Sequence, residues 1–127
     1  MKIKRFEKEG NAQKKSYSFA LEVLMLVREI QQNKKEYELS RQLLKSATSI
    51  GANLHESIGR QSNKDLLTKL HISYKEAYET KYWICLLTDS NYISERKSEK
   101  LLGLNEELLK ILGSSIKTLR TKINYKP

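Results

Sequence analysis

Two long helical patterns joined by a short break occupy residues 39–87, and they constrain the fold more than any other part of the chain. In the first pattern an apolar residue recurs every three or four positions: Leu43, Ala47, Ile50, Leu54 and Ile58. The second pattern continues with the same spacing: Leu66, Leu70, Ser73, Ala77, Ile84 and Leu87. This spacing places each set on one face of a helix. The stretch therefore predicts two amphipathic helices that each bury one face.

The flanking segments carry helical patterns of the same kind. The first segment has two adjacent apolar stripes: Tyr17, Ala20, Leu21, Leu24 and Val27 in one, and Phe19, Val23, Leu26 and Ile30 in the other. The last segment has a single apolar stripe: Leu101, Leu104, Leu108, Leu112, Ile116, Leu119 and Ile123. Four helices, at about residues 11–32, 39–59, 63–90 and 94–123, with short connections predict an all-α, antiparallel up-down-up-down four-helix bundle. At 127 residues the chain fits a single domain, residues 1–127.

Residues suited to helix ends lie in the predicted breaks. Gly59 closes the second helical pattern, and Ser62 or Asn63 can cap the start of the third. Ser94 can cap the fourth. Within the second helix, small residues cluster around Gly51. Because glycine weakens a helix interior by about 1 kcal/mol relative to alanine, we interpret Gly51 as a point where another helix approaches closely.

Composition favours a cytoplasmic protein that does not enter a membrane. No apolar run approaches the roughly 20 residues that a transmembrane helix needs. The charged N-terminal segment lacks the apolar core of a secretion signal. The single cysteine, Cys85, lies in an apolar helical stretch, which is typical of a buried thiol in a reducing compartment.

The formal net charge of +9 is unevenly distributed along the chain. Residues 1–36 carry nine basic and five acidic residues, and residues 94–127 carry eight and four. The excess therefore falls on the first and last helices, which are neighbours in a closed bundle, and it favours binding of a polyanion such as nucleic acid. The candidate phosphate contacts are Lys14, Lys15, Lys110, Lys117 and Arg120, together with Lys2, Lys4, Arg5 and Lys8. The alternative is a solvated face that only keeps the protein soluble.

Acidic and histidine side chains do not form a recognisable metal or catalytic motif. A di-metal site in a helical bundle requires Glu-x-x-His pairs, and the sequence contains none. We instead interpret four residues as a polar network that fixes the register of helices two and three: Asn53, Glu56, Glu76 and Glu79. Neither a nucleophile–base pair nor a glycine-rich phosphate loop is present, so we expect neither enzymatic activity nor a cofactor.

An aromatic row marks the third helix. Tyr74, Tyr78 and Tyr82 follow one another at four-residue spacing, and Trp83 lies beside the last of them. A row set apart from the core stripe requires a second packing partner. We favour a subunit interface, where Tyr and Trp are enriched, over stacking on nucleic-acid bases. The wide apolar arc of the first helix also indicates a homo-oligomer.

Two segments resemble a known family. Ser46-Ala47-Thr48-Ser49-Ile50-Gly51-Ala52-Asn53-Leu54-His55-Glu56 resembles the helix-two signature of the 23S ribosomal RNA intervening-sequence protein family. Ser62-Asn63-Lys64-Asp65-Leu66 and the run from Lys75 to Leu87 are similar to its helix-three signature. The sequence departs from the family pattern at Ser57, where the family often has glycine. It also lacks, between Asn33 and Glu38, the proline that the family often has before helix two.

The resemblance implies a bacterial four-helix bundle, and some members are encoded inside insertions within ribosomal RNA genes. A relative, the accessory variability determinant of diversity-generating retroelements, forms a pentamer that binds nucleic acid and a reverse transcriptase. By this analogy the chain is expected to be a homopentamer that binds RNA or DNA without sequence specificity. The alternative is a protein-interaction scaffold that docks an acidic or nucleic-acid-processing partner on its basic face.

Overall fold

Four antiparallel helices form the protein in a computed structural model that describes residues 5–6 and 8–124. They are α1 (Asn11–Lys34), α2 (Glu38–Glu56), α3 (Asn63–Asp89) and α4 (Glu95–Asn124). Each helix packs against its neighbours in sequence, and α4 returns to α1 to close the bundle. The predicted all-α four-helix bundle is confirmed. A single 3-10 turn at Ser57–Gly59 follows α2, where the sequence predicted that the second helix continues to about residue 59.

Side chains in the connections cap the helices as their types suggest. The Ser62 hydroxyl accepts a hydrogen bond from the Asp65 backbone N–H at 3.1 Å at the start of α3. Ser94 accepts one from the Lys97 N–H at 3.2 Å at the start of α4. The Glu36 carboxylate accepts two, from the backbone N–H groups of Leu39 and Ser40, both at 2.8 Å. These contacts satisfy amide groups that a helix leaves unpaired at its N-terminus.

The core takes one of the two apolar stripes of α1 and the last residue of the other. The buried apolar residues of the helix are Phe19, Val23, Leu26 and Ile30 from one stripe and Val27 from the other. The remaining members of that other stripe, Tyr17, Ala20, Leu21 and Leu24, are only half-buried. The stripes of α2, α3 and α4 supply the rest of the core, including Leu43, Ile50, Ile84, Leu108 and Leu112. One edge of α1 therefore remains partly uncovered in the single chain.

Small side chains let α2 approach its neighbours closely. A Cβ atom added to Gly51 would lie 3.1 Å from the hydroxyl oxygen of Ser16 on α1. On the other side, the buried Ser73 hydroxyl of α3 donates to the Ile50 carbonyl at 2.9 Å. The close approach predicted at Gly51 is present, and its partner is α1.

Two buried polar contacts define the mid-height of the bundle. The Thr80 hydroxyl on α3 donates to the Ser46 hydroxyl on α2 at 2.9 Å. The Asn105 side-chain amide on α4 donates to the Ala77 carbonyl on α3 at 2.9 Å. Asn105 is 1% exposed, and its carbonyl oxygen has no hydrogen-bond partner within the described chain. These contacts fix the register of α3 against both neighbours.

The seam between α1 and α4 carries most of the ion pairs. Lys15 contacts Glu107 at 2.9 Å, Lys97 contacts Glu29 at 2.7 Å, and Lys100 contacts Glu22 at 3.2 Å. The six side chains are exposed to solvent, where each such pair contributes about 0–1 kcal/mol. No stretch of any helix in the described part of the chain has the length and hydropathy that crossing a bilayer requires.

Candidate nucleic-acid interface

Charge is divided between the two ends of the bundle. The contacts at mid-height, together with the contact of Gly51 with Ser16 on α1, divide the bundle into residues 5–6, 8–19, 48–76 and 108–124 and residues 20–47 and 77–107, and the Lys15–Glu107 ion pair spans the boundary. The first set, which we call the basic end, has twelve basic and four acidic residues. The second set has nine basic and ten acidic residues. Among the described residues, the positive charge is therefore concentrated at one end of the molecule.

This arrangement refines the prediction from the sequence. The first and last helices are neighbours, as predicted, but they do not carry the excess along their whole length. The half of α4 beyond residue 107 has four basic residues and no acidic one, whereas the half before it has three basic and four acidic residues. The antiparallel topology brings the basic half of α4 beside the start of α1, the end of α2 and the start of α3.

The predicted contacts on α4 lie at the basic end and are exposed. Lys110 and Lys117 lie two helical turns apart, and Arg120 follows one turn later. None of the three forms an ion pair with another described residue. Their charges are therefore available to a ligand without the loss of an internal contact.

The predicted contacts on α1 also lie at the basic end, on another side of it. Lys14 is exposed, and Lys15 pairs with Glu107 of α4. Both line a small groove between α1 and α4. The structure thus separates the predicted cations into an α4 group and an α1 group rather than one cluster.

The segment before α1 adds further charge. Lys2 and Lys4 lie outside the described residues, whereas Arg5 and Lys8 are described and exposed. Phe6 packs edge-on against Tyr17 at 4.9 Å and His55 at 5.3 Å, measured between ring centroids. These contacts hold the segment against α1 and α2 at the basic end.

Five basic residues of this end escaped the sequence analysis: Arg60, Lys64, Lys69, Lys75 and Lys122. Lys69 pairs with Glu56 at 2.8 Å, and the other four are exposed. Except for Lys122, which lies in the basic last segment, they belong to segments that are close to neutral when charge is counted along the chain. If the charges had been summed over each end of the predicted antiparallel bundle, these residues would have been identified.

A groove between α3 and α4 at the basic end combines aromatic and basic side chains. Its volume is about 360 Å³, and it is lined by His71, Tyr74, Gly113, Ile116, Lys117, Arg120 and Thr121. The Tyr74 ring lies over Gly113, where an added Cβ would be 3.5 Å from the ring. Hydrogen bonding with Tyr78 and partial desolvation raise the pKa of Tyr74, so its phenol stays neutral at physiological pH.

The aromatic row of α3 is divided between the two ends. Tyr74 is half-buried at the basic end, and its ring meets that of Tyr78 at 5.2 Å. Tyr78 and Tyr82 are 51% and 61% exposed. Trp83 is half-buried, with its ring 5.1 Å from that of Tyr82 and its indole N–H donating to Glu79. Exposed aromatic rings are therefore present on the outer surface of α3.

The four residues predicted to form a polar network make contacts with other residues instead. Glu56 links α2 to α3 through Lys69, but Asn53 donates to the Ser49 carbonyl of its own helix at 2.8 Å. Desolvation and the nearby charge of Glu79 raise the pKa of Glu76. No two of the four predicted residues hydrogen-bond to each other in the part of the chain that the structure describes. No group of three His, Cys, Asp or Glu residues that could hold a metal ion occurs in that part either.

Comparison with a family model and with solved structures gives significant matches. The model of a family described as 23S rRNA-intervening sequence protein matches residues 8–114. A solved structure from Bacteroides thetaiotaomicron VPI-5482, a protein with unknown function from the S23 ribosomal protein family, is similar with a TM-score of 0.82 and 40% sequence identity. The similarity covers 84% of this chain and 98% of that chain. Among curated proteins, no significant match is found.

Proposed function

Because this chain belongs to the 23S rRNA-intervening sequence protein family, we propose that it is a non-enzymatic, oligomeric bundle that binds RNA or DNA through its basic end. The names of the family and of the solved relative refer to 23S rRNA and to a ribosomal protein family, which makes RNA the first polyanion to test. Binding would occur in the cytoplasm and without sequence specificity.

The concentration of positive charge at one end carries this proposal. Cations from three helices and from the segment before α1 converge there, whereas charges in the other half nearly cancel. Lysine and arginine side chains that contact phosphates release condensed counterions, and this release drives binding without reading bases. A convergent, exposed set of cations suits a phosphate backbone better than the same charges spread evenly.

The test compares two variants with the same net charge. The first neutralises the basic end with Lys110→Gln, Lys117→Gln and Arg120→Gln. The control neutralises the opposite half with Arg28→Gln, Lys81→Gln and Arg96→Gln. All six side chains are exposed, and none forms an ion pair with another described residue.

Fluorescence anisotropy with labelled RNA and DNA from about 50 to about 200 mM KCl measures the salt dependence of the association constant. Each phosphate contact contributes roughly 0.7–0.9 to the log–log slope, so the basic-end variant should lower the slope by about 2 to 3. The control should lower it by less than about 1. Equal losses in both variants, or no complex at the lowest salt, would contradict the proposal.

The outer surface of α3 supports the oligomeric part of the proposal. Tyr78, Tyr82 and Leu86 are among the exposed large apolar residues of the chain. Light scattering should give a multiple of the 14.8 kDa chain mass, and five is the multiple that the resemblance implies. Tyr82→Glu should lower that mass, whereas Tyr37→Glu in the α1–α2 connection should not. A parent protein of single-chain mass would refute this part.

The same exposed surface favours a second candidate, a scaffold that docks another protein. In that case an acidic or nucleic-acid-processing protein would be retained after nuclease treatment, and Tyr82→Glu would release it. Retention that depends on added RNA or DNA would instead support the first candidate.

A further inference from the structure

The α3–α4 groove has two chemically different walls. On α3, His71 and Tyr74 lie one helical turn apart, and on α4, Lys117 and Arg120 do the same. One wall therefore offers flat aromatic rings and the other offers positive charge. A nucleotide has the complementary pair of groups, a flat base and a negative phosphate. The volume of about 360 Å³ lies near the lower end of the range for small-molecule sites.

The aromatic wall is already positioned in the free chain. Gly113 leaves room for the Tyr74 ring, whose nearest atom lies 3.5 Å from the position of an added Cβ. The Tyr78 ring contacts Tyr74 at 5.2 Å with an interplanar angle of 80°. A ring held by two neighbours loses little conformational freedom when a ligand binds, which favours affinity.

We propose that this groove binds a nucleotide of single-stranded nucleic acid, with the base stacked on the aromatic wall and the phosphate at Lys117 and Arg120. The inference rests on the proposed function and adds to it a preference for single-stranded over duplex nucleic acid. The basic end contacts phosphates of any nucleic acid, whereas the groove contributes only when an unpaired base enters it. The chain therefore binds single strands more tightly than duplexes of equal length.

The preference follows from base stacking. In a duplex, neighbouring base pairs cover both faces of each base, so an aromatic side chain cannot reach them. In a single strand the faces are accessible, and stacking on aromatic rings tolerates any base identity. Because the phenol of Tyr74 is neutral at physiological pH, the wall does not repel the adjacent phosphate.

The position of Tyr74 sets it apart from the other aromatic residues of α3. Tyr82 and Trp83 lie in the half of the bundle where acidic residues balance the basic ones. Neither lines the groove with Lys117 and Arg120. Tyr37 provides a control, because it is exposed, does not line the groove and lies in the half of the bundle whose charges balance.

The test measures single-strand and duplex affinity for Tyr74→Leu, Tyr74→Phe and Tyr37→Leu. Labelled oligouridine and an RNA duplex of equal length serve as probes, and thermal melts monitored by circular dichroism verify folding. Tyr74→Leu should weaken single-strand binding roughly 5- to 150-fold, the effect of one stacked base, and duplex binding less than about twofold. Tyr74→Phe, which keeps the ring, and Tyr37→Leu, which lies outside the groove, should leave both affinities within about twofold.

Photocrosslinking of the parent protein gives a second readout that does not depend on a variant folding. With an oligonucleotide containing 5-iodouridine, tryptic digestion should place the crosslink in peptide 70–75, which holds both His71 and Tyr74. Crosslinks confined to peptides 76–81 or 82–96 would overturn the inference.

The outcomes distinguish the two proposals. Equal effects of Tyr74→Leu on single strands and duplexes, or no effect on either, would overturn the groove while the salt-dependent basic end remains. If the parent protein binds neither probe at low salt, both proposals fail.

Discussion

The contact between Gly51 and Ser16 makes the packing of α1 on α2 directly testable. A Cβ atom at position 51 would lie 3.1 Å from the Ser16 hydroxyl oxygen, 3.5 Å from its Cβ and 3.6 Å from its backbone carbonyl carbon. The hydroxyl can rotate away, although it would lose its hydrogen bond to the Gln13 carbonyl. The backbone carbonyl carbon of Ser16 cannot move away in this manner. Alanine at position 51 is therefore tolerable, whereas leucine is not.

Two opposing terms set the size of the effect. Replacing glycine inside a helix stabilises the fold by about 0.5–1 kcal/mol through helix propensity. For Gly51→Ala, the tight contact with Ser16 offsets this gain, and the net change is close to zero. For Gly51→Leu, overpacking costs about 1–3 kcal/mol, so after the propensity gain the free energy of unfolding should fall by up to about 2.5 kcal/mol.

Gly103 is the matched control, because it also lies within a helix but an added Cβ there would meet nothing within 4 Å. Gly103→Ala and Gly103→Leu should raise the free energy of unfolding by about 0.5–1 kcal/mol. Urea denaturation followed by circular dichroism, at one fixed protein concentration, measures all four variants. If Gly51→Leu is as stable as Gly103→Leu, the close approach of α1 and α2 is refuted. Adding Ser16→Ala to Gly51→Ala should restore the propensity gain.

Three further predictions concern polar groups. Asn105→Asp should destabilise the bundle by at least about 3 kcal/mol at pH 7, because it buries an unpaired charge beside Ala77, and pH-dependent melts should show recovery as falling pH protonates it. Thr80→Val should cost about 1 kcal/mol in urea denaturation through the lost hydrogen bond to Ser46, and an unchanged midpoint would contradict that contact. Desolvation raises the pKa of Glu76, so the folded chain binds its proton more tightly than the unfolded chain, and this contribution to stability falls as pH rises between the two pKa values. Glu76→Gln should therefore be at least as stable as the parent at pH 7, with the difference shrinking on acidification.

The helical architecture could be predicted because the patterns are strong and the breaks are short. The stripe of α4 is a clear case, since its central members Leu108 and Leu112 are fully buried. The resemblance carried by residues 46–56, 62–66 and 75–87 is confirmed by the family match. The first helix shows the limit of this reasoning. Its two stripes are both apolar, and only the positions of α2 and α4 decide that Phe19 and Val23 face the core while Tyr17 does not.

The candidate site was less accessible to sequence reasoning because its residues come from different helices. Lys117 and Arg120 were identified from their charge, but their proximity to His71 and Tyr74 depends on the register of α4 against α3. A buried amide, Asn105, sets that register, and no periodic pattern distinguishes it from an exposed asparagine. The polar residues that do link α2 to α3, such as Ser46 and Thr80, are short side chains whose role depends on backbone distance.

The division of charge between the ends also has a kinetic consequence. A molecule with nearly all its excess charge at one end has a large electric dipole, and a polyanion exerts a torque on it before any atoms touch. The chain would therefore arrive at a nucleic acid with its basic end already facing the strand. Fewer collisions would involve the half of the bundle whose charges nearly cancel. This kinetic effect would disappear as added salt shortens the range of the electric field.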